Sequence, residues 1–437
     1  MNIRAASRST VGAAPQRWSQ RAQLRVLALA TAIGAIGLAA GGSAGALLAA
    51  RLASSDAAVG LPLGVLVLGS AAAAMLISRL TMRLGRLRSL ALGYAIGACG
   101  AALVVTALMM TSLPELLVGS ALLGAANAAI FFTRYAAAAL ADAGRRGQAL
   151  GAVLFATALG AVLGATLLGP SASLAEAVRL PRESGLYLLA LCAFTLAGLV
   201  LAAAPRLGLA RLGGVADPVS ATHGTRFALR SVASGPARSA VAAIAATNFV
   251  MVAVMAVAPV HLRMAGMTLQ LVGVMVAMHV AGMFVPAPVS GWLCDRIGSS
   301  IVMTVGLLLL FGTGVAGAVA TSRVGGVVPV VLILLGIGWN LGVVGASSAL
   351  AATVPGVLQP QVEGLGEVAM GVAAALAAPL AGLILHFAGF AAVWGGGAVV
   401  AAVTLVLLAR LNRPQVGRQA RASGGRATRE RQGVCVR

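Results

Sequence analysis

Lysine is absent from this chain, and acidic residues are scarce. All 31 basic residues are arginine, and they stand against ten aspartates and glutamates. Without lysine the chain cannot form the G-x-x-x-x-G-K-[ST] loop that cradles nucleotide phosphates, so a nucleotide-driven activity of that type is excluded for this chain. The four cysteines show no paired spacing. We therefore expect no disulfide framework, no metal site and no cofactor.

Charge of either sign is rare, whereas apolar residues dominate. Only 9% of the residues are charged and 60% are hydrophobic, with a mean hydropathy of +0.99. A soluble domain carries about a quarter charged residues. In lipid, only helices and closed barrels satisfy the backbone, and the apolar runs here are close to helical span length without two-residue alternation. The sequence predicts an all-α membrane protein.

Twelve apolar runs are long enough to cross a bilayer, and one long polar stretch divides them into two groups of six. The predicted spans are 24–50, 58–78, 89–110, 114–137, 148–169, 184–204, 239–260, 268–290, 300–320, 326–350, 365–386 and 389–410. The predicted domains are a basic cytoplasmic tail 1–23, a six-helix bundle 24–204, a cytoplasmic linker 205–238, a second six-helix bundle 239–410 and a basic disordered tail 411–437.

The arginines are distributed unequally between the two sides of these spans. With the N-terminus inside, 25 arginines fall on the inner side, 5 on the outer side and Arg134 within a span. This positive-inside bias predicts a multi-pass membrane protein with both termini in the cytoplasm. The heavy use of alanine, glycine and arginine is typical of a bacterial chain, so the expected location is the bacterial inner membrane. The same positive-inside bias explains the net charge of +21 without a nucleic-acid partner, because basic segments beside a bilayer meet anionic lipid headgroups.

A short polar pattern occurs once in each half, between the second and third spans of that half. The second copy, here the second hinge (291–300), reads G-x-x-x-D-R-x-G through Gly291, Asp295, Arg296 and Gly298. The first copy, the first hinge (78–88), has Ser78 and Met82 in place of the glycine and the aspartate. It keeps Arg83, Gly85, Arg86 and Arg88.

The two hinges, the twelve spans and the long central segment resemble the major facilitator superfamily over nearly the whole chain. Within it, Gly336–Leu341, Asn127 and the pair Arg134-Tyr135 resemble a group of bacterial drug-efflux-like members. The resemblance implies a monomeric secondary transporter in which two bundles rock around a midplane cavity that takes a small-molecule substrate.

The hinges are the predicted gate. Asp295 and Arg296 lie at the cytoplasmic mouth of the eighth span, where they can pair with neighbouring helix ends. The hinge glycines permit a tight turn and close helix approach. Because Met82 replaces the acid, the lock of the N-terminal half is expected to be weaker or built differently. The alternative is that the hinges are only topological turns.

Polar residues near the middle of spans are the predicted cavity residues, because polar groups in lipid are costly. They are Asn127, Asn248, His279 and Asn340, together with Trp339, whose ring offers a face to a planar or cationic solute. The alternative for each asparagine is a hydrogen bond to a neighbouring helix, which is worth about 0.6–2 kcal/mol.

Proton coupling requires an embedded group that is protonated from one face and deprotonated at the other. By the predicted span limits no acid lies at the midplane, and only Glu367 is embedded. Glu367 and His279 are therefore the candidates. Arg134 is expected either to pair with Glu367 or to extend its side chain to the cytoplasm.

These features favour proton-coupled export of a small amphipathic or hydrophobic compound. An importer or uniporter of a small polar metabolite is the alternative. A polytopic membrane enzyme would need a catalytic constellation at a membrane face, and its candidates His261 and His386 have no nearby acid in the sequence. A sensor or scaffold on the same fold also remains open.

Overall fold

The computed structural model describes residues 20–53, 61–204, 235–320, 327–353 and 359–411, without the side chains of 39–53, 143, 168 and 269. Within these ranges the chain is helical and contains no strand. The helices are α1 (Gln20–Ala53), α2 (Leu61–Leu84), α3 (Arg86–Met110), α4 (Leu113–Leu140), α5 (Arg146–Thr166), α6 (Leu168–Ala177), α7 (Gly185–Ala203), α8 (Gly235–Met264), α9 (Leu269–Phe284), α10 (Ala287–Ile297), α11 (Ser299–Ala320), α12 (Val327–Thr353) and α13 (Gln359–Leu411). Helices α1–α7 form the N-half and α8–α13 the C-half.

The described residues contain eleven helical stretches that are long and apolar enough to cross a membrane. The last of them, α13, has 53 residues and is broken at Gly389, whose φ of 78° is outside the helical region. A straight helix of that length would reach about 80 Å, far beyond a hydrocarbon core of about 30 Å. We call residues 359–388 the first arm of α13 and 390–411 the second arm. The prediction of an all-α protein with twelve spans is confirmed.

One end of the bundle carries both hinges, and we call it the hinge end. There α2 meets α3 at Gly85, and α10 meets α11 at Gly298. The two glycines occupy the same place in the two halves and have φ of 83° and 95°. A residue with a Cβ is strained at such angles, so each glycine allows two helices to join with a one-residue turn.

The eighth span is bent. It runs over Gln270–Ile297, and α9 ends and α10 begins around Pro286, which is followed by Pro288. Proline removes a backbone donor and its ring clashes with the preceding turn, which accounts for the break. The bend separates α9, which packs against α12, from α10, which packs against α5 of the N-half.

One apolar core lies in the N-half, and a second lies in the C-half and includes residues of α4 and α5 such as Leu150. Two helix pairs make most of the contacts between the halves. The N-half core includes Tyr94 and Tyr187, and the C-half core includes Trp339 and Trp394. Between the halves, α2 packs against α13 and α5 packs against α10. Large apolar side chains such as Phe387 are exposed, as expected of helices that face lipid.

Two differences between predicted and observed helix boundaries affect the linker and the site. Helix α8 begins at Gly235, so the end of the predicted linker 205–238 is helical, and α13 begins at Gln359 rather than at 365. The segment 359–364 contains polar residues, which a search for apolar runs leaves out. Residues 1–19, 205–234 and 412–437 lie outside the described residues, so the predicted tails and most of the linker stay predictions.

Candidate functional site: a cavity and its closure between the halves

A cavity of about 150 Å³ lies between the two halves. Helices α2 and α4 line it from the N-half, and α8, α9, α12 and α13 line it from the C-half. Most of its wall is apolar, with Phe131 and three methionines. The polar lining residues are Ser70, Asn127, Asn248, Trp339 and Glu367. Glu367 is the one charged residue among the described residues of this wall.

A second cavity of about 240 Å³ adjoins the first within the N-half. Both cavities are lined by Val67 and Asn127, so Asn127 lies where they meet. Leu63 and Leu66 line the second cavity and lie towards the start of α2, away from the hinge end. The two spaces therefore extend from the middle of the bundle towards the end opposite the hinges.

The amides of the cavity are held by bonds within their own half. Asn127 Nδ2 donates to Ser70 Oγ at 3.1 Å. Asn248 Nδ2 donates to the Met370 carbonyl at 2.9 Å, and Asn248 Oδ1 accepts from Trp339 Nε1 at 3.0 Å. These bonds fix the orientation of the amides and of the indole ring, so the cavity presents a prearranged polar lining.

Glu367 and Arg134 form an ion pair across the two halves. Arg134 Nη2 lies 2.5 Å from Glu367 Oε1, and Tyr135 OH donates to the same oxygen at 3.2 Å. Arg134 Nε donates to Ser347 Oγ at 3.1 Å. Arg134 is 0% exposed, so its side chain pairs with Glu367 and does not extend to the hinge end.

A second ion pair lies one helical turn away on α13. Glu363 accepts from both terminal nitrogens of Arg86, at 2.7 and 3.1 Å. Glu363 is fully buried and Arg86 is 6% exposed. The expectation that only Glu367 is embedded among the acids is therefore wrong, because α13 begins earlier than predicted. The spacing of Glu363 and Glu367 by four residues on one helix was the signal that could have identified this site.

The first hinge therefore joins the N-half to α13 through Arg86. The sequence of this hinge differs from the pattern of the second hinge. Ser78, which replaces the leading glycine of that pattern, donates its hydroxyl to the Pro360 carbonyl at 2.7 Å. A Cβ on Gly364 would collide with the Ser78 side chain, so α2 and α13 approach closely here.

In the second hinge, Asp295 binds the N-terminus of α5. Its Oδ1 accepts from the Gly147 backbone N–H at 2.8 Å and its Oδ2 from that of Gln148 at 2.9 Å. The first N–H groups of a helix have no partner within the helix and carry partial positive charge, so a carboxylate is stabilised there. A Cβ on either Gly147 or Gly291 would collide with the carbonyl oxygen of the other residue. The helices α5 and α10 therefore meet backbone to backbone.

Arg83 and Arg296 are exposed at the hinge end, and the guanidinium of Arg296 lies 5.4 Å from the Trp292 ring centroid. Neither arginine contributes an ion pair between the halves among the described residues. Contacts between the halves at this end are made instead by Ser78 and Arg86 of the first hinge and by Gly291 and Asp295 of the second hinge.

Two predicted cavity residues lie elsewhere. His279 is buried between α9 and α12, with Nδ1 2.8 Å from the Leu332 carbonyl oxygen. Asn340 accepts from Ser290 Oγ at 2.5 Å and donates to the Met283 carbonyl at 2.6 Å. Both residues join helices of the C-half and are absent from the described lining of the cavity. Their placement in the cavity is therefore corrected: both are near mid-span, but they face a neighbouring helix.

Comparison with known proteins agrees with this architecture. A family model described as Major Facilitator Superfamily matches residues 27–358 and 243–433. The uncharacterized MFS-type transporter YdeG of Bacillus subtilis (strain 168) is 32% identical over 305 residues, which cover 69% of this chain and 71% of the relative. The uncharacterized MFS-type transporter YddS of the same organism is 29% identical over 316 residues, which cover 70% of this chain and 72% of the relative.

Solved structures share the fold at low identity. The E. coli fucose:proton symporter FucP superposes with a TM-score of 0.71 and 16% identity, covering 91% of this chain and 100% of the other. A bacterial homologue of the iron transporter ferroportin superposes with a TM-score of 0.70 and 13% identity, covering 90% of this chain and 100% of the other. With the family model and YdeG, these findings show that the chain belongs to the major facilitator superfamily and is a multi-pass membrane transporter of that family.

Proposed function

We propose that the protein exports a small amphipathic or hydrophobic compound from the bacterial cytoplasm in exchange for protons, by alternating access of the cavity between the halves. The hinge end is the cytoplasmic end in this proposal, as the 25 inner arginines indicate. The observation that carries the proposal is Glu367, a carboxylate that lines the cavity and is ion-paired to Arg134 of the other half.

The lining of the cavity supports the class of substrate. An apolar wall with a few fixed polar groups is typical of sites for amphipathic molecules. Sugar phosphates and polycarboxylates would need several buried basic groups, and Glu367 is the charged group that the described wall provides. Among the described residues no hydrogen bond is made to Asn127 Oδ1, so this oxygen is available to a donor on the substrate.

The inter-half ion pairs support alternating access. Arg86–Glu363, Arg134–Glu367 and the Asp295–α5 contact all join the halves at or near the hinge end. The structure is therefore closed at that end, while the second cavity extends towards the other. A carrier must break such contacts to open the cytoplasmic side, and the same contacts re-form when it closes again.

Glu367 connects this closure to proton binding. A proton that reaches Glu367 through the cavity neutralises the carboxylate and removes the charge that Arg134 binds. The attraction between the halves then weakens, and the hinge end opens. Substrate binding from the cytoplasm and loss of the proton there complete the exchange. Each ligand thus shifts the equilibrium by its different affinity for the two states.

The test begins with the substrate. Growth inhibition of an expressing strain and a deletion strain is compared across a panel of amphipathic compounds, and the protected compounds are carried forward. The purified protein in liposomes is then given a pH gradient, and uptake of the compound and movement of protons are recorded together. We expect the compound to accumulate on the acidic side while protons leave that side. Accumulation of the compound on the alkaline side, with protons moving in the same direction, would identify a symporter. A flux that only equalises the concentrations of the compound would identify a uniporter. Either result contradicts the proposal.

A further inference from the structure

A groove of about 710 Å³ lies between α3 and α7. It opens on the lipid-facing side of the N-half, and the buried ring of Phe194 separates it from the second cavity. Small side chains of α3, including Ala91, Ala95 and Ala102, form its floor at helical spacing. Leu191 of α7 helps to form the opposite wall. Apart from Arg88 and Thr195, the residues that line the groove are apolar.

Arg88 lies where the groove meets the hinge end. Its side chain is exposed and makes no ion pair with any acid of the described residues, whereas Arg86, two residues earlier, is bound to Glu363. From Arg88 to Ala102, the groove residue of α3 farthest from the hinge end, the helix rises by about 21 Å. One leaflet of a hydrocarbon core of about 30 Å is about 15 Å deep, so the groove is long enough to take an acyl chain of one leaflet. The groove thus combines one free cation at the surface with a slot that spans the depth of a leaflet.

We propose that the groove binds one anionic phospholipid of the cytoplasmic leaflet, with an acyl chain between α3 and α7 and the phosphate at Arg88. The fixed fork of a guanidinium matches phosphate oxygens, and basic sites between membrane helices hold anionic headgroups. The charge at the mouth selects a headgroup with net negative charge, and the depth of the slot matches a chain of one leaflet. Phosphatidylglycerol is the probe of this chemistry.

The test is native mass spectrometry of the full chain in detergent, titrated with phosphatidylglycerol or with phosphatidylcholine of the same acyl chains. We expect one phosphatidylglycerol to bind more tightly than phosphatidylcholine. Arg88→Gln should weaken phosphatidylglycerol binding about five-fold. Ala95→Leu should remove the bound lipid, because its side chain fills the slot. Arg410→Gln and Ala316→Leu are the matched controls, since both lie at exposed positions outside the groove and should bind like the wild type.

Several results would overturn the proposal. Equal binding of both lipids by the wild type would exclude recognition of the anionic headgroup. Undiminished binding in Ala95→Leu would place the lipid elsewhere, and an equal loss in Arg410→Gln would indicate non-specific surface attraction.

If the wild type instead ran as a dimer that Ala95→Leu converted to monomers, a second copy of the chain would be the occupant. If every variant also lost its cooperative thermal unfolding, Arg88→Lys would be titrated, and we expect it to retain the preference for phosphatidylglycerol. Loss of that preference in folded Arg88→Lys would also overturn the proposal.

Discussion

Glu363 and Glu367 lie one turn apart on α13, and each carboxylate meets an arginine of the N-half. Their surroundings differ in one respect. Glu367 lines the cavity, whereas Glu363 is fully buried and is not part of the described lining. A proton or a substrate can therefore reach Glu367 through the cavity, while Glu363 is enclosed between the halves. We infer that Glu367 couples transport to protons and that Glu363 holds the closed state.

Glu367→Gln keeps the shape of the side chain and imitates its protonated form permanently. We expect this variant to lose accumulation driven by a pH gradient, because no proton is bound and released during the cycle. Exchange of substrate down its own gradient should continue, since the cavity is otherwise intact. Uptake into liposomes with and without the pH gradient measures both activities in one preparation.

His279→Gln is the matched control for that experiment. The ring of His279 faces the Leu332 carbonyl between two helices of the C-half, so its replacement should leave gradient-driven accumulation close to the wild-type rate. If His279→Gln abolishes accumulation and Glu367→Gln preserves it, the imidazole is the proton carrier. If both variants still accumulate substrate, coupling runs through neither residue.

Arg86 and Glu363 allow a test of the enclosed ion pair. Removing one partner of a buried pair leaves an uncompensated charge and costs about 3–5 kcal/mol, whereas replacing both by apolar residues is often nearly neutral. Arg86→Met should therefore lower the thermal unfolding midpoint in detergent clearly, and Arg86→Met with Glu363→Met should recover most of the loss. Arg88→Met, at an exposed position two residues away, controls for the loss of an arginine. A double variant no more stable than Arg86→Met alone would show that the pair contributes through something other than charge compensation.

At the scale of helices, the contact of α5 with α10 joins electrostatics to close packing. Asp295 supplies a carboxylate to the first N–H groups of α5, and the glycines at 147 and 291 let the two backbones touch. The two features depend on each other, because the hydrogen bonds require the close approach that the glycines allow and would break if the helices moved apart. Together they form a contact that is made or broken as a unit, which is what a two-state gate requires.

Asp295→Asn tests this gate. An asparagine keeps the size of the side chain but removes the charge, and the closed state should lose about 2 kcal/mol, which shifts the equilibrium about thirty-fold towards opening at the hinge end. Transport should fall sharply at an unchanged amount of protein in the membrane. The neighbouring Cys294 is buried in the closed structure, so its reaction with a maleimide should speed up in the variant.

The labelling is done in a background whose other three cysteines are serine. Asp142→Asn is the control, because Asp142 is an exposed acid near the start of α5 that makes no ion pair among the described residues. Normal flux and slow Cys294 labelling in Asp295→Asn would reduce the second hinge to a topological turn.

At the scale of the whole molecule, the spans, the two halves and the hinge glycines can be predicted from the sequence for physical reasons. Span number and the two halves follow from hydropathy, and the hinge glycines follow from a backbone that needs positive φ. The direction in which a side chain points does not follow. His279 and Asn340 are near mid-span as predicted, yet they face neighbouring helices, because these spans are apolar on every side and show no stripe that marks the cavity. Glu363 was missed because it lies in the polar first turns of α13, which a search for apolar runs does not include.

The orientation of the chain in the membrane decides which conformational state the structure represents. Helix α7 ends and α8 begins at the hinge end, so the segment between them starts and finishes on the side where 25 arginines are predicted. Reporter fusions after residues 220 and 437 should therefore report the cytoplasm, and a fusion after residue 182 should report the periplasm.

The ion pairs of α13 then close the cytoplasmic side, and the structure represents the outward-directed state of the transporter. A periplasmic signal after residue 220 together with a cytoplasmic signal after residue 182 would invert the molecule. In that case the same ion pairs would close the outer side, and Glu367 would exchange its proton with the cytoplasm in this state, because the adjoining cavity extends away from the hinge end.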